Sequence, residues 1–438
     1  MLDINKIREK KDEVKKALLK RLNSDDFDLD KIIKFDDERR KLIKEIEELR
    51  AKRNQFSQTK PSSEIIKEMR EVGERVKNLE SQLKQIESKL NDELSALPNL
   101  PADDVVAGGK ENNQVLRTFS KKPDFKFKPK DHIELAICLG LVDYERAVKM
   151  SGSGFWAYIG DGALLEWALL NYFIEFHRKN GYIFLIPPFL LTEQSAYTSG
   201  HLPKFRGDLY WTSTSASSAS LGALAPACRQ GRDRQDKLCL NATAEMMLGN
   251  FHRDEILTEE KLPLKYFAYS ACFRREGGSY GAEERGMVRG HQFNKIEMFQ
   301  LTKSDQSWSA FDELLNYAEE LVKGLGLHFQ TVKLAAADCS AAMSKTVDIE
   351  VWIPSMNTYK EVSSVSNALD YQARRGNIRN KNSKTGENEY VHTLNASGLA
   401  TSRIIPAILE QFQQKDGSVK IPKVLQKFMK KKVIKKAV

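Results

Sequence analysis

The sequence predicts an α+β protein that combines an N-terminal helical hairpin with a larger domain of an antiparallel sheet flanked by helices. Two heptad patterns within the first 100 residues indicate the hairpin. Beyond them, apolar runs of strand character alternate with helical segments, which is typical of an α+β domain. A chain of 438 residues is long enough for two or three domains, each with its own core.

The predicted hairpin consists of two helices on either side of residues 57–63. Apolar or long side chains recur at alternating steps of four and three over residues 35–56, and again over residues 69–90. The segment between them contains Pro61 and several residues that cap helices. We therefore expect an antiparallel coiled coil, with helices about 45 Å long if each has about 30 residues.

Lysine and arginine are frequent on the polar faces of this hairpin, for example Lys34, Lys41, Lys77 and Lys84. The whole chain has a formal net charge of +9 and a pI near 9.0, which favours an anionic partner such as a nucleic acid. A dimerising coiled coil with ordinary charged flanks explains the same pattern. The residues alone leave both interpretations open.

Pro98 and Pro101 mark the end of the hairpin, because two prolines so close together cannot continue a helix. The last residues are rich in lysine, and we expect them to form a frayed, solvated tail. The predicted organisation is an N-terminal domain over 1–100 with its arm at about 27–98, a linker over 101–130, a catalytic domain over 131–426 and a basic tail over 427–438.

Within the larger domain, helices are expected near residues 163–178 and 306–324. Strands are expected near 182–186, 265–273, 292–299, 348–353 and 361–365. The sequence contains neither a GxxxxGK[ST] loop nor a strand–GxGxxG–helix unit, which excludes P-loop and Rossmann nucleotide sites.

The five cysteines form no CxxC pair, which argues against a disulfide framework or a cysteine-rich zinc site and fits a reducing cytosol. The N-terminus lacks the apolar region of a signal peptide. The longest apolar run, residues 182–191, is interrupted by Pro187 and Pro188 and is too short to span a bilayer. We expect a cytoplasmic protein without a membrane partner.

Residues 271–297 are the most informative segment, because two predicted strands flank a glycine-rich polar turn there. Arg274 offers a forked donor suited to a phosphate group. Phe293 offers a flat face for a purine, and Glu297 offers an acid for an ammonium group. Taken alone, Glu297 is better explained as an ordinary salt-bridged acid of a strand.

Several motifs, in family order, resemble those of bacterial-type seryl-tRNA synthetases, which are class II aminoacyl-tRNA synthetases. Residues 181–188 look like motif 1, residues 272–297 like motif 2 and residues 394–403 like motif 3. Residues 348–354 and 360–367 are similar to segments of the seryl branch in particular. The resemblance implies a class II catalytic domain built on an antiparallel sheet, and a homodimer formed through motif 1.

The resemblance also implies how ATP is bound. Arg274 would contact the α-phosphate, Glu276 the adenine end, and Phe293 and Arg403 the two faces of the adenine. Glu361 and Ser364 would hold Mg²⁺ with ATP, and no zinc is implied. Arg274, Glu361 and Arg403 would be the catalytic residues, acting by position and charge. The full implied ATP set is Arg274, Arg275, Glu276, Phe293, Glu361, Val362, Ser363, Ser364 and Arg403.

L-Serine needs a partner for its ammonium group and a polar partner for its hydroxyl. The resemblance assigns these roles to Thr243, Ala244, Glu245, Glu297 and Ser397. A pocket that hydrogen-bonds a hydroxyl rejects alanine, because its own buried polar groups would otherwise stay unpaired.

The implied activity is that of a serine–tRNA ligase, which forms seryl-adenylate from serine and ATP and transfers serine to the 3′ end of tRNA(Ser). In a host that makes tRNA(Sec), that tRNA would be charged as well. The hairpin, with the lysines and arginines on its polar faces, would then be the tRNA-binding arm. Two alternatives stay open: an impaired relative that binds tRNA without efficient activation, and a paralog that acylates an acceptor other than tRNA.

Three positions depart from the family pattern. Asn241 and Ala242 replace the usual Ile-Pro before Thr243, and Ala396 replaces a glycine of motif 3. If position 396 required a positive φ, the alanine would be strained by about 1 kcal/mol. Residues 212–237 look like a low-complexity insertion or a sequence error.

Overall fold

A computed structural model describes residues 1–56, 63–212, 237–276 and 286–436. The turn predicted within the hairpin, nearly all of the unusual segment at 212–237 and the motif 2 loop at 277–285 lie outside these residues. The chain divides into two compact units, Met1–Pro101 and Ala102–Val438.

The described part of the first unit is helical, and its two long helices confirm the predicted hairpin. Side chains from Leu42 and Ile46 on one helix meet Val72, Val76 and Ile86 on the other, forming a continuous apolar seam. The helices of this unit are α1 (Ile4–Glu9), α2 (Lys11–Leu18), α3 (Leu29–Phe56) and α4 (Ser63–Ala96).

Ion pairs between the long helices show that they run antiparallel. Lys31 near the start of α3 pairs with Glu93 near the end of α4. Lys52 near the end of α3 pairs with Glu68 near the start of α4, at 2.6 Å. These pairs are partly exposed and contribute little energy, so the heptad seam carries most of the stability of the hairpin.

The second unit is built on an eight-stranded sheet with the order β1-β10-β11-β12-β15-β9-β8-β4. Neighbouring strands are antiparallel except for β4, which runs parallel to β8. Three smaller two-stranded sheets and one three-stranded sheet complete the described β-structure of this unit. The strands are β1 (Gln114–Phe119), β2 (Val142–Asp143), β3 (Ala157–Tyr158), β4 (Ile183–Leu185), β5 (Leu190–Thr192), β6 (Leu238–Leu240), β7 (Ile256–Thr258), β8 (Leu264–Phe273), β9 (Gln292–Thr302), β10 (Phe329–Lys333), β11 (Lys345–Ile353), β12 (Thr358–Leu369), β13 (Arg379–Lys381), β14 (Asn388–Tyr390), β15 (His392–Ala400), β16 (Val419–Lys420) and β17 (Val433–Ile434).

Helices cover one face of the main sheet and bury the larger apolar core against it. Ile296 and Met298 of β9 belong to this core, together with residues of the three longest helices of the unit, which are α7 (Asp161–Lys179), α10 (Ser307–Leu325) and α12 (Thr401–Gln411). The intervening residues of β9 face the other side, because side chains alternate along a strand. The helices of the second unit are α5 (His132–Cys138), α6 (Tyr144–Ser151), α7 (Asp161–Lys179), α8 (Glu193–Thr198), α9 (Glu245–Leu248), α10 (Ser307–Leu325), α11 (Tyr371–Gly376), α12 (Thr401–Gln411) and α13 (Gln426–Met429).

Five predicted strands and two predicted helices of the catalytic domain are present, each within a few residues of its expected bounds. The segment expected to be a linker, residues 101–130, also supplies β1, which pairs with β10 at one edge of the main sheet. None of the helices in the described residues is long and apolar enough to cross a membrane.

The expectation of a frayed C-terminal tail is wrong for residues 427–436. Met429 and Ile434 are buried in the main core, and β17 pairs with β16. Lys431 forms a 2.6 Å ion pair with Asp161 at the start of α7. The many lysines in this segment obscure its apolar residues, which pack inward while the charged side chains remain at the surface.

Candidate active site

The central cavity of the second unit has a volume of about 490 Å³ and is lined in part by β9, β12 and β15, three neighbouring strands of the main sheet. A smaller cavity of about 50 Å³, the Phe293 cavity, shares Arg274, Lys295 and Glu361 with it. Most of the residues predicted from sequence line one or both: Thr243, Glu245, Arg274, Glu276, Phe293, Glu297, Glu361, Val362, Ser364, Ser397 and Arg403.

Three predicted residues do not line either cavity. Ala244 is buried in an apolar cluster of the second unit. The hydroxyl of Ser363 donates a hydrogen bond of 2.6 Å to the carbonyl oxygen of Ser397. Both residues support the site from within the fold. Arg275 is exposed, and its backbone N–H donates to the carbonyl oxygen of Asp208 at 3.0 Å. The structure does not bring the Arg275 side chain into the site.

One face of β9 carries Phe293, Lys295 and Glu297 in succession. Lys295 and Glu297 are both buried, with 6% and 1% of their surface exposed, and they form an ion pair. Lys295 Nζ also donates a hydrogen bond of 2.6 Å to Thr243 Oγ1. An aromatic ring, a cation and an acid thus follow one another along a single strand.

The acidic end of the central cavity contains Glu245 and Glu297. Asn395 Nδ2 donates to Glu297 Oε1 at 3.1 Å, and Gln372 Nε2 donates to Glu245 Oε1 at 2.7 Å. Burial and the negative charge of Glu297 raise the pKa of Glu245 to about 7, against the opposing charge of Lys295. This end therefore suits a small molecule that carries an ammonium group.

The other end of the site suits a nucleotide. The guanidinium carbon of Arg274 lies 5.3 Å from the centre of the Phe293 ring. Arg403 lines the Phe293 cavity and donates a hydrogen bond of 2.7 Å to the carbonyl oxygen of Glu361. Glu276 adopts a φ of +51°, in the left-handed region that favours glycine. Its carboxylate pairs with Arg289 at 2.6 Å.

Glu361 and Asp348 form a second acidic pair, joined by Ser364. The Ser364 hydroxyl lies 2.6 Å from Asp348 Oδ1 and 3.2 Å from Glu361 Oε1. Burial and the charge of Glu361 raise the pKa of Asp348 well above its usual range. Loss of surrounding water opposes ionisation of Glu361, but the charges of Arg403 and Arg274 lower its pKa. Glu361 is thus the carboxylate of the pair that stays ionised.

The sequence interpretation missed Lys295, Asn395 and Asp348. Lys295 could have been found from strand alternation, because it lies midway between Phe293 and Glu297 on the same face. Asn395 and Asp348 lie in segments that resemble family motifs, but the sequence interpretation gave them no role. The contact of Asn395 with Glu297 spans 98 residues, whereas that of Asp348 with Ser364 joins the consecutive strands β11 and β12.

The departures from the family pattern fit the structure. Asn241 Nδ2 donates to the carbonyl oxygen of Ala271 at 2.9 Å, and the Ala242 carbonyl accepts a hydrogen bond of 3.3 Å from Arg274 Nε. Ala396 lies within β15 without a positive φ, and its methyl group belongs to the main core. The strain considered for Ala396 is therefore absent.

Two family models match the chain. The seryl-tRNA synthetase N-terminal domain matches residues 1–101, and the tRNA synthetase class II core domain (G, H, P, S and T) matches residues 227–412. Serine–tRNA ligase 2 of Clostridium acetobutylicum is 52% identical over 98% of this chain and 99% of its own length. Serine–tRNA ligase of Petrotoga mobilis is 44% identical over 99% of this chain and 100% of its own length.

Solved structures agree with these relatives. The seryl-tRNA synthetase of Pyrococcus horikoshii, complexed with ATP, superposes with a TM-score of 0.88 and 32% identity over the full length of both chains. The cytoplasmic serine–tRNA ligase of Naegleria fowleri, in complex with AMP, has a TM-score of 0.84 and 29% identity over 100% of this chain and 99% of that one. Because the chain is similar to serine–tRNA ligases over its full length and its N-terminal domain matches the family model, it belongs to the seryl-tRNA synthetase family.

Proposed function

We propose that this chain is an ATP-dependent serine–tRNA ligase. The observation that carries the proposal is the convergence of two sets of side chains on one cavity. Thr243, Glu245 and Glu297 offer an ammonium site, and Arg274 and Glu361 line both the central cavity and the Phe293 cavity. Serine and ATP would therefore meet between them.

In the first step, one carboxylate oxygen of serine attacks the α-phosphorus of ATP. The bond from that phosphorus to the oxygen bridging to the β-phosphate breaks, and diphosphate leaves with the electron pair. No proton has to be removed from the attacking carboxylate, so the site needs no general base. It needs position and positive charge, and Arg274 and Arg403 supply that charge on the nucleotide side.

The residues at the second acidic pair fit Mg²⁺. Glu361 and Ser364 present oxygen atoms, which are the ligands that this hard cation prefers, and Mg²⁺ commonly takes one or two carboxylates together with substrate phosphates. Bound there, the ion would neutralise negative charge on the phosphates. No group of three or more His, Cys, Asp or Glu residues placed to hold a metal occurs among the described residues.

In the second step, a hydroxyl of the terminal adenosine of tRNA attacks the carbonyl carbon of seryl-adenylate. The bond from that carbon to the phosphate oxygen breaks, AMP leaves with the electron pair, and the hydroxyl proton is released. The long hairpin of the first unit supports tRNA(Ser) as the acceptor, because it exposes lysines such as Lys34, Lys41, Lys77 and Lys84. The proposal extends to tRNA(Sec) where the host makes it.

A homodimer is part of the proposal. Leu164 and Trp167 of α7 are exposed, and so are Ile183 of β4 and Ile186 just after it. Exposed apolar side chains clustered on consecutive elements are typical of a surface that another subunit covers. These elements include the segment that resembles motif 1. We also propose that the protein acts in the cytoplasm.

The test is serine-dependent exchange of labelled diphosphate into ATP, followed by aminoacylation of tRNA. Glu297→Gln should abolish the exchange while ATP still binds, because the partner of the ammonium group is removed. Glu313→Gln is the matched control, since Glu313 pairs with Lys265 and lines neither cavity.

No exchange by the unsubstituted chain would refute the proposal. If that chain still bound tRNA, the impaired relative would be the correct interpretation. Exchange without any acylation of tRNA would instead favour the paralog that serves another acceptor.

A further inference from the structure

Lys295 lies between the two halves of the site and has no role in the function proposed above. Along one face of β9 it follows Phe293, at the proposed nucleotide end, and precedes Glu297, at the proposed amino-acid end. The parts of seryl-adenylate have the same order: adenine, then the phosphate joined to the carboxyl group, then the ammonium group. This order places Lys295 beside the reacting carboxyl group.

The contacts of Lys295 place its ammonium group on the amino-acid side. Nζ donates to Thr243 Oγ1 at 2.6 Å and pairs with Glu297, while the side chain is almost fully buried. In serine, the carboxylate is separated from the ammonium group by a single carbon atom. A serine whose ammonium group binds Glu297 therefore holds its carboxylate within reach of the cation beside Glu297.

The charges that line the central cavity make such a cation necessary. Glu245 and Glu297 attract the ammonium group of serine but repel its carboxylate. Arg289 is paired with Glu276, and Arg274 stacks on Phe293 at the nucleotide end. Burial, helped by the charge of Arg274, lowers the pKa of His201 to about 3, so this residue is neutral. The charge of Arg274 also reaches Glu245, but among the described residues it is Lys295 that forms an ion pair with Glu297 at the acidic end.

We propose that Lys295 binds the carboxylate of serine and orients it towards the α-phosphorus of ATP. This inference rests on the proposed function and adds a specificity: the amino-acid pocket recognises a free carboxylate as well as the ammonium and hydroxyl groups. The alternative is a purely structural role, in which Lys295 serves only as the counter-ion that keeps Glu297 and Thr243 in place.

The two roles differ in their effect on a ligand that lacks the carboxylate. L-Serinamide keeps the ammonium and hydroxyl groups of serine and replaces the carboxylate with a neutral amide. The experiment measures the Kd of L-serine and of L-serinamide by calorimetry for the unsubstituted chain, Lys295→Met and Lys295→Arg. Lys265→Met is the control, because Lys265 is also an ion-paired lysine of the main sheet but lines neither cavity.

Loss of a charge-assisted hydrogen bond should weaken serine binding to Lys295→Met by roughly 10- to 100-fold. Serinamide should bind this variant as well as or better than the unsubstituted chain, because a cation near its ammonium group has been removed. Lys295→Arg should retain most of the affinity for serine. Lys265→Met should leave the Kd of both ligands unchanged.

Equal weakening of both ligands in Lys295→Met would overturn the proposal and support the counter-ion role. Unchanged serine binding would overturn it as well. Retained binding of serinamide shows directly that the pocket is folded. If the unsubstituted chain bound neither ligand, the serine pocket itself would be refuted and the role of Lys295 with it, a result distinct from a loss confined to the variant.

Discussion

The side-chain amide of Asn294 donates a hydrogen bond of 2.8 Å to Oε1 of Glu166. Thr401, the first residue of α12, donates to the same oxygen at 2.6 Å. Glu166 thereby joins α7 to the neighbour of Phe293 and to the helix that carries Arg403. Burial raises the pKa of Glu166 to about 7, and the bonds from Thr401 and Asn294 offset this rise only in part.

The raised pKa of Glu166 predicts a dependence of stability on pH. Between the ordinary glutamate pKa and about 7, the folded chain keeps a proton that the unfolded chain releases. The Glu166 contribution is therefore fully present at low pH and is lost as pH rises through about 7, by about 3 kcal/mol in total.

Glu166→Gln removes this titration. The variant should gain stability relative to the unsubstituted chain as the pH is raised from about 5 to about 8, measured as the difference between their melting temperatures. Other groups titrate alike in both proteins and cancel. A difference that stays constant with pH would contradict a raised pKa at Glu166.

The pKa of Glu245, raised to about 7, predicts that serine binding depends on pH. The ionised carboxylate attracts the ammonium group of serine, so the KM for serine should rise several-fold as the pH falls from about 8 to about 6. His201 does not titrate in this interval, because its pKa is about 3. In the exchange assay, Glu245→Gln should raise the KM for serine and make it depend less on pH. If the KM of this variant changed with pH as steeply as that of the unsubstituted chain, the effect would belong to another group.

The exposed lysines of the hairpin predict a salt-sensitive interaction with tRNA. Substituting Lys34, Lys41, Lys77 and Lys84 together by Gln should raise the KM for tRNA. The slope of log affinity against log salt should fall by about one unit for each phosphate group that a lysine no longer neutralises. Serine-dependent exchange should not change.

Lys415→Gln with Lys420→Gln provides a control on exposed lysines of the second unit. An unaltered rate of tRNA acylation in the hairpin variant would refute the role of the arm.

Ile434 predicts that the C-terminal segment contributes to stability. Its side chain is fully buried in the main core, so Ile434→Ala should lower the free energy of unfolding by about 3 kcal/mol. Lys435→Ala, at an exposed position next to it, should have little effect on melting temperature. A solvated tail that only contacts RNA would give the opposite ranking, with the lysine variant impaired in tRNA acylation and the isoleucine variant unchanged.

Local patterns determined much of what could be predicted. The heptads of α3 and α4 specified their apolar seam, because a coiled coil depends on residues a few positions apart. The strand that ends just before Arg274 and the strand that carries Phe293 and Glu297 could be found in the same way. The resemblance of their motifs to a known family supplied the partners at Glu361, Ser397 and Arg403. The C-terminal segment was misjudged because a high local charge masked Met429 and Ile434.

By itself, the sequence determined which residue types were available for a nucleotide and an amino acid, and the order in which β9 presents Phe293 and Glu297. Only the tertiary structure decided that Lys295 contacts Thr243, that Asn395 holds Glu297, and that Asp348 and Glu361 share Ser364. The contacts of Lys295 and Asn395 join residues 52 and 98 positions apart, and those of Ser364 depend on how β12 packs beside β11. Burial at these contacts determines which carboxylates stay ionised. No local sequence pattern encodes this burial.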